Sequence, residues 1–454
     1  MKTYKSSLSI IISAFCCSVG ISGCSEYLDL KPNKRFATLE SLDILQGTLD
    51  YYADINNRDA AAAEISADNY YLTDDVFNAM TDENRRMYTW EKDYFIPVAT
   101  NEWSFVYQRV YAANSVLDNI SSISRTTFNA ARWDDIKGQA LYIRGKAFLE
   151  AVGIWSLAFD DVESTSDLGI PLRLEADINV PSTRASVAES YEQVLADLRE
   201  ASLRLPETAV HVMRPSKAAA WALLARTYLF MRKYDLALKY ADSCLASNGH
   251  LMDYNELDET ARAPIPVYNE EVIYYGQMGN PNHVSNNRAK IDTVLLSMYE
   301  PEDLRKGIFF DTNNDGSTAF KGSYASRSQF SGVSTSEIYL TLSECYARLG
   351  DTEQALTYLN RLLEKRYLSG STLPTASINE EELLPLILNE RRKELLMRGI
   401  RWMDIKRLNK EGAQIGLKRI VNGELYELPP NHNRFALPLP EAVVEITGMP
   451  QNPR

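Results

Sequence analysis

The chain has 454 residues, 45% of them hydrophobic and 24% charged, and its 48 Lys and Arg against 61 Asp and Glu give a net charge of -13. A protein of this charge repels phosphate backbones, and no basic run offsets it, so the composition argues against nucleic acid as a partner. Beyond the N-terminal apolar run, no segment is apolar over a membrane-spanning length, which predicts a soluble mature chain.

The N-terminus has the pattern of a secretory signal peptide. Lys2 and Lys5 precede an apolar run over residues 8–19, and small residues follow it up to Cys24. The tetrapeptide ISGC that ends at Cys24 resembles a bacterial lipobox, in which the cysteine is acylated and becomes the first residue of the mature protein. We therefore predict a signal peptide over residues 1–23 and a lipid anchor on Cys24. The alternative is an ordinary signal peptide with an incidental cysteine.

Helical periodicity dominates the N-terminal half of the mature chain. Apolar residues recur there at intervals of three and four, which predicts amphipathic helices. The predicted helices cover about 39–52, 102–120, 134–159 and 187–205. Ser186 is in the capping position before the last of them, and Pro206 follows its end.

Composition alone allows one large domain or two closely packed lobes.

Two helical hairpins have the same spacing of small and aromatic residues. Small and aromatic side chains at these intervals let two antiparallel helices approach closely, which is typical of tetratricopeptide hairpins. The first set is Tyr228, Ala237 and Tyr240, and the second is Tyr346, Ala355 and Tyr358. Chance similarity between two amphipathic hairpins is the alternative.

The segment between the hairpins, from about 251 to 335, is rich in Pro, Asn and Gly, and loops of this length are usually functional.

One short motif has the spacing of metal ligands. The stretch DTNNDGS, from Asp311 to Ser317, begins with the D-x-N-x-D-G pattern of a calcium loop. Its twelfth position is Gly322, where such loops have a bidentate Glu, so an Asx/Gly turn is the better interpretation. The chain has no CxxC pair and four scattered His, which predicts no metal site, and we expect Cys244 and Cys345 to be unpaired core residues.

No motif in the sequence predicts an enzyme. The chain lacks a nucleophile elbow, a phosphate-binding glycine loop and a dinucleotide fingerprint. Adjacent acidic pairs such as Asp74 and Asp75 are a weak signal for glycoside hydrolysis in a chain with 61 acidic residues. We therefore predict no catalytic residue and no cofactor. A surface hydrolase is the alternative, and turnover of a substrate would reveal it.

Aromatic and amide residues are concentrated in two of the irregular regions. Sugars present apolar C–H faces and many hydroxyls, so aromatic platforms beside amides and charges form a matching surface. The predicted ligand-binding residues are Tyr70, Tyr71, Trp90, Tyr94, Asn282, His283, Asn286 and Arg288. The alternative for each aromatic residue is that it pins its loop to the scaffold.

The segment NERRKELLMRGIRWMDIKRL, residues 389–408, interleaves charged and apolar residues along what the spacing predicts to be two helices separated at Gly399. Charges among apolar residues can be buried only when each carboxylate meets a cation, which predicts a paired network between the helices. Asp404 lies three residues from both Arg401 and Arg407. The predicted structural residues are Glu390, Arg391, Glu394, Arg401, Trp402, Asp404 and Arg407. A catalytic role for Glu390 or Glu394 is the alternative.

This segment resembles the E-R-R-x-E-L…G-x-R-W-x-D-L-x-R signature of the SusD/RagB family of outer-membrane lipoproteins. Ile405 replaces the usual leucine, and Met397 and Arg398 depart from the aromatic-Glu pair common before the glycine. Other motifs follow in family order. They are CSEYLDLKP near the start, the helix with Trp103, Tyr107 and Asn114, the segment RASVAESYEQVLADLREA, and the terminus LPLPEAVVEITGMPQNP.

The resemblance implies an all-α SusD-like fold with tetratricopeptide-type hairpins and long ligand-binding loops, in a single domain over residues 24–454. Its N-terminal part would cover about 24–250 and its C-terminal part about 251–454. The resemblance also implies a lipid-anchored protein exposed at the outer-membrane surface, which binds an oligosaccharide and covers a SusC-like TonB-dependent transporter. A peptide-binding RagB-like member and a tetratricopeptide scaffold that binds only proteins remain the alternatives.

Overall fold

A computed structural model describes residues 41–92, 101–279 and 283–454. These residues belong to one compact unit, Ser41–Arg454. The predicted signal peptide and Cys24 lie outside the described residues, as do Tyr94 and Asn282.

The described part of the chain is mainly helical and contains seventeen α-helices. In the N-terminal half they are α1 Leu42–Leu49, α2 Tyr52–Ile55, α3 Ala62–Ser66, α4 Asp74–Asn78, α5 Asp82–Tyr88, α6 Glu102–Ile120, α7 Ala130–Trp155, α8 Val187–Arg204, α9 Lys217–Phe230 and α10 Tyr234–Ser247. In the C-terminal half they are α11 Thr293–Leu296, α12 Arg305–Phe309, α13 Thr335–Arg348, α14 Thr352–Leu363, α15 Glu380–Glu394, α16 Arg401–Lys410 and α17 Glu441–Thr447. The predicted all-α class is confirmed.

Ten short strands in the described residues form five antiparallel pairs. The strands are β1 Tyr70–Tyr71, β2 Leu168–Pro171, β3 Arg184–Ser186, β4 Val272–Tyr274, β5 Lys290–Ile291, β6 Phe310–Thr312, β7 Thr318–Phe320, β8 Val333–Ser334, β9 Leu417–Val421 and β10 Glu424–Leu428. The pairs are β1 with β5, β2 with β3, β4 with β8, β6 with β7, and β9 with β10. Two-stranded sheets this short are stable only when they pack against other elements such as helices. Their role here is to position loops.

The longer helices form a continuous row in which each packs against the next, from α6 through α7, α8, α9, α10 and α13 to α14. Local sequence sets their ends. Asn101 and Ser104 form a capping box at the start of α6, and Ser186 and Glu189 form another at the start of α8. Helix α7 ends at Trp155, earlier than the sequence predicts, because the backbone at Ser156 is extended.

The two predicted hairpins, α9–α10 and α13–α14, have the same internal geometry. Tyr228 stacks on Tyr240 with ring centroids 5.6 Å apart, and Tyr346 stacks on Tyr358 at the same distance, with interplanar angles of 4° and 7°. Ala237 is fully buried in the first hairpin, and its counterpart in the second is buried equally. The prediction of tetratricopeptide-type hairpins is therefore confirmed.

A larger side chain at the small position of the second hairpin should destabilise the protein. Ala355 has no exposed surface, and leucine there would force α13 and α14 apart, at a cost of about 1–3 kcal/mol. Urea denaturation of Ala355→Leu measures this cost. The control Glu353→Leu places the same side chain on the exposed face of α14 and should change the unfolding free energy by less than about 0.5 kcal/mol. Equal effects of the two substitutions would contradict the hairpin packing.

The stretch considered as a calcium loop is the turn of the β6–β7 hairpin. The amide of Asn313 donates to the carbonyl of Ser317 over 2.8 Å, and Gly316 supplies the left-handed residue with φ of 80°. Asp311 pairs with Lys321 at 2.9 Å. Within the described residues, no group of three or more His, Cys, Asp or Glu side chains is arranged to hold a metal ion.

Two further sequence features can be placed in the fold. Cys244 in α10 and Cys345 in α13 are buried and carry free thiols, as expected. Burial raises the pKa of both thiols well above the ordinary value.

Among the described helices, none combines the length and the apolar character needed to cross a bilayer.

Candidate ligand-binding face

The fold brings together two loops that the sequence selected independently. Strand β1 pairs with β5, so that Tyr70 faces Ile291 and Tyr71 faces Lys290. The amide of Asp292 extends the ladder by donating to the carbonyl of Asn69 over 3.0 Å. The aromatic loop around residue 70 and the described part of the amide-rich loop, residues 283–288, are therefore neighbours, although some 200 residues separate them in sequence.

Two of the selected aromatic residues lie in the core. Tyr70 and Trp90 expose 3% and 1% of their surface, and both rings pack around the guanidinium of Arg419 from β9. The indole Nε1 of Trp90 donates to the carbonyl of Ser66 over 2.9 Å, and the hydroxyl of Tyr70 donates to the carbonyl of Ile65 over 2.9 Å. Neither ring presents a face to a ligand in this structure, so both take the loop-pinning role that was the alternative interpretation.

His283 is also buried, with 2% of its surface exposed. Its Nε2 atom lies 2.9 Å from the carbonyl oxygen of Asn84. Burial, together with the nearby cations Arg419 and Arg288, lowers the pKa of His283 to about 4, so the ring is neutral at physiological pH. His283 fastens its loop to α5 and does not face solvent, which differs from its predicted contact with a ligand.

The remaining described members of the predicted set have accessible surface. Tyr71 is 37% exposed, and Asn286 and Arg288 are half-buried. The Nε2 atom of Gln329 holds the loop from below, because it donates to the carbonyl of Val284 over 2.9 Å and to Oδ1 of Asn286 over 3.3 Å. We call the surface of Tyr71, Asn286 and Arg288 the loop face. An aromatic ring, an amide and a guanidinium in neighbouring loops can stack on a sugar and exchange hydrogen bonds with its hydroxyls.

The charged segment that the sequence singled out is buried and paired. Glu394 accepts hydrogen bonds from Arg366 at 2.9 Å and from Arg305 at 3.3 Å, and Glu390 pairs with Arg305 at 2.5 Å. Lys393 pairs with Glu390 at 2.8 Å and with Asp303 at 2.7 Å. Burial alone would raise the pKa of Glu394, but Arg366 and Arg305 hold it below the ordinary value.

A second group of pairs joins α15 to α16, and α16 to α13. Arg391 donates to Asp404 over 2.9 Å, and Arg407 donates to the same carboxylate over 2.7 Å. Arg407 also contacts Glu344 of α13 at 2.5 Å. The indole of Trp402 is fully buried and packs on Phe435 at a centroid distance of 4.7 Å. These contacts make the segment a junction between the hairpin row and the C-terminal part of the chain.

Arg401 does not pair with Asp404, the partner that its spacing indicated. It forms two hydrogen bonds with Asp68, at 2.8 and 2.9 Å, and Arg392 contacts the same carboxylate at 3.2 Å. Burial disfavours the charge on Asp68, but the two guanidinium groups outweigh it and hold the pKa well below the ordinary value. Because Asp68 is two residues before β1, the charged segment positions the loop face.

Comparison with known proteins identifies the family of this chain. A SusD-like family model described as "Starch-binding associating with outer membrane" matches residues 26–229, and the SusD family model matches residues 304–445. The chain belongs to the SusD/RagB family. A tetratricopeptide repeat model also matches residues 218–249, which include most of the first hairpin.

Individual relatives of this SusD/RagB protein are distant in sequence and close in fold. Two SusD-like proteins of Formosa agariphila, P2 and P38, are 24% and 22% identical to it. The matches cover 77% and 69% of this chain, and 79% and 73% of the relatives. A SusD superfamily structure from Bacteroides thetaiotaomicron superimposes with a TM-score of 0.76 at 22% identity, over 91% of this chain and 100% of that one. A SusD-like carbohydrate binding protein from Bacteroides vulgatus superimposes with a TM-score of 0.65 at 21% identity, over 89% and 95%.

One buried carboxyl group beside the family signature should make stability depend on pH. Glu64 accepts hydrogen bonds from Nδ2 of Asn69 at 2.7 Å and from the amide of Gly399 at 2.8 Å. Burial raises its pKa from 4.5 to about 7. The unfolded chain therefore loses this proton near pH 4.5 and the folded chain near pH 7, so the stabilising effect is complete below pH 4.5 and is lost as the pH rises to 7.

Replacing Glu64 by glutamine removes the titrating group and should remove this dependence. Relative to the variant, the wild type should lose about 3 kcal/mol of unfolding free energy between pH 4.5 and pH 7. Denaturant titrations of both proteins at several pH values in this interval measure the difference. Glu192→Gln, on the exposed face of α8, serves as the control and should follow the wild type. A constant difference between Glu64→Gln and wild type would show that Glu64 titrates normally.

Proposed function

We propose that this protein binds a nutrient glycan at the cell surface and covers a SusC-like TonB-dependent transporter, to which it delivers that glycan. The observation that supports the proposal is membership of the SusD/RagB family, for which family models match both the N-terminal and the C-terminal part of the chain. The matching family model is described as starch-binding and associated with the outer membrane, and one structural relative is a carbohydrate binding protein. In this proposal residues 24–454 form a single binding domain that catalyses no reaction.

The loop face is the proposed contact surface for the glycan. Tyr71 would stack on the C–H face of a sugar ring, and Asn286 and Arg288 would exchange hydrogen bonds with its hydroxyls. Tyr94 and Asn282 remain proposed contacts and lie outside the described residues, in segments 93–100 and 280–282. A surface built from loops on a rigid helical row can change its ligand without changing the scaffold.

Calorimetry of the mature protein against a panel of neutral polysaccharides and peptides tests this proposal. Tyr71→Ala should weaken glycan binding roughly tenfold, because a stacked aromatic ring contributes about 1.4 kcal/mol. Tyr111→Ala removes another exposed tyrosine, 55% exposed on α6 and outside the loop face, and should bind like the wild type. Equal binding by the wild type and Tyr71→Ala would rule out the loop face. Chromatography of each mixture would reveal any product of cleavage.

The tetratricopeptide-type hairpins support a second candidate function. Such hairpins are common protein-binding units, so the chain could be a scaffold lipoprotein without a small ligand. Saturable binding of a polysaccharide favours the glycan proposal, and selective binding of peptides favours the RagB-like alternative. Purification from native outer membranes should recover a TonB-dependent transporter if the lid proposal is correct. Recovery of a periplasmic protein instead, with no glycan binding, would favour the scaffold.

Cys24 is the proposed attachment point of the lipid. Cys24→Ser should abolish acylation, so the protein should no longer incorporate radiolabelled palmitate or sediment with the outer membrane. The control is Cys17→Ser, which changes a cysteine of the signal peptide and should leave both properties unchanged. Digestion of the wild-type protein by protease added to intact cells would show that the anchor displays it at the cell surface. Normal acylation of Cys24→Ser would overturn the proposal.

A further inference from the structure

A groove separate from the loop face lies between α1–α2, the loop before α9 and the segment before β4. Two cavities of about 410 and 370 Å³ make up the groove, and both are lined by His211 and Tyr268. Each has the volume of a small-molecule site. We call this surface the Tyr268 groove. It has no residue in common with the loop face.

Tyr268 stands between the two cavities in a fixed orientation. The residue is 44% exposed, and its ring makes edge contacts with the rings of His211 and Tyr275, at centroid distances of 4.7 and 4.8 Å. Its backbone has φ of 59°, the left-handed region that a bulky residue rarely adopts. Such strain is found at ligand clamps, where the surrounding structure holds a side chain in place. The ring is thus partly open to solvent and rigid, as a stacking platform requires.

The first cavity adds a second exposed ring and polar groups. Tyr52 from α2 is 57% exposed on its lining. Beside it Arg214 makes two hydrogen bonds with Asp50, at 2.8 and 2.6 Å, and both side chains remain about one-third exposed. The pair offers donors and acceptors to hydroxyl groups while its charges cancel.

The second cavity is polar and has no excess of positive charge. Asn248, His250 and Glu270 line it. The side-chain oxygen Oδ1 of Asn248 is itself buried, so the hydroxyls of a ligand would meet the exposed side chains of His250 and Glu270. Glu207 on its lining is paired with Lys217 at 2.5 Å. A surface without an unpaired cation does not select an anionic ligand.

From these observations we propose that the Tyr268 groove is a second carbohydrate site, which binds a neutral oligosaccharide extending from one cavity to the other across the Tyr268 ring. Tyr268 and Tyr52 stack on sugar rings, the Asp50–Arg214 pair binds hydroxyls in the first cavity, and the exposed carboxylate of Glu270 accepts a hydrogen bond from a hydroxyl in the second. This inference rests on the proposed glycan-binding function and assigns a further site to it. A second site raises the avidity for a long polymer beyond what the loop face provides.

The test is binding of neutral oligosaccharides, two to seven sugars long, prepared from starch, inulin, galactan and mannan. Tyr268→Gly removes the ring and at the same time relieves the left-handed backbone, so this variant should fold like the wild type. Tyr52→Ala changes a side chain that is mostly in solvent. Each substitution should weaken oligosaccharide binding roughly tenfold, whereas Tyr268→Phe should retain it.

Comparison with Tyr71→Ala separates the two proposals. A ligand that loses affinity in Tyr268→Gly and Tyr52→Ala, and keeps part of its affinity in Tyr71→Ala, supports a second site. Oligosaccharide binding by the wild type that is unchanged in both groove variants overturns the Tyr268 groove and leaves the proposed function standing. Failure of the wild type to bind any of the oligosaccharides overturns the groove, and the polysaccharide panel then decides the proposed function by itself. Circular dichroism melting of each variant confirms that it is folded.

Discussion

Replacement of Glu394 by glutamine should lower the free energy of unfolding by roughly 3–5 kcal/mol, the largest single effect we expect outside the apolar core. Glu394 has no exposed surface, and its carboxylate accepts hydrogen bonds from Arg366 and Arg305. Glutamine has nearly the same shape but carries no charge and turns an N–H₂ group toward a guanidinium. The variant therefore leaves two buried cations with too few acceptors, and urea denaturation at neutral pH measures the cost.

The predicted cost comes from the balance of charge in the buried cluster. The acidic members are Glu271, Asp303, Glu390 and Glu394, and the basic members are Arg305, Arg366, Lys393 and Arg398. Glu192→Gln is the matched control, because it makes the same chemical change on an exposed helix face. A loss of less than about 1 kcal/mol in Glu394→Gln would mean that the cluster is solvated, as surface ion pairs are.

Replacement of Arg419 by methionine should lower the free energy of unfolding by about 3 kcal/mol and loosen the loop face. The guanidinium of Arg419 donates to the carbonyls of Ile65 and Ala67 at 2.8 and 2.7 Å, and also to the carbonyl of Tyr88. It lies 3.7 Å from the ring centre of Tyr88. Methionine fills the space but leaves three buried carbonyls without this donor. Denaturation measures the stability, and hydrogen exchange of the β1 amides measures the loosening.

Lys418→Met is the control for this prediction. The side chain of Lys418 precedes Arg419 on β9 but points to the opposite, solvent-exposed face, where it pairs with Glu427 at 2.8 Å. Its removal should cost less than about 1 kcal/mol and leave exchange at β1 unchanged. If Arg419→Met and Lys418→Met have equal effects, the aromatic residues around Arg419 hold the loop without it.

Both predictions concern the support of the loop face by buried cations. The signature segment holds Asp68 through Arg401 and Arg392, and β9 holds the segments on either side of β1 through Arg419. The loop face is therefore supported from two directions by buried cations. Such support allows the exposed tips of the loops to vary while their bases stay in place.

The sequence by itself determined the elements whose signals are local. Helix caps at Ser186 and the stacking pairs of the two hairpins depend on residues close together in the chain, so helical spacing was sufficient to predict them. Local spacing also predicts that the charged segment is buried and paired, because its charges alternate with leucines that must face a core.

Only the tertiary structure decided which partners those charges have and which aromatic residues reach solvent. Arg401 pairs with Asp68 rather than with its neighbour Asp404. Local spacing could not predict this pair, because the two residues are far apart in the sequence and only tertiary packing brings them together. Tyr70 and Tyr71 are adjacent and chemically identical, yet one is in the core and the other is exposed, because successive residues of a strand point to opposite faces. The Tyr268 groove joins three distant segments, so no sequence pattern could have indicated it.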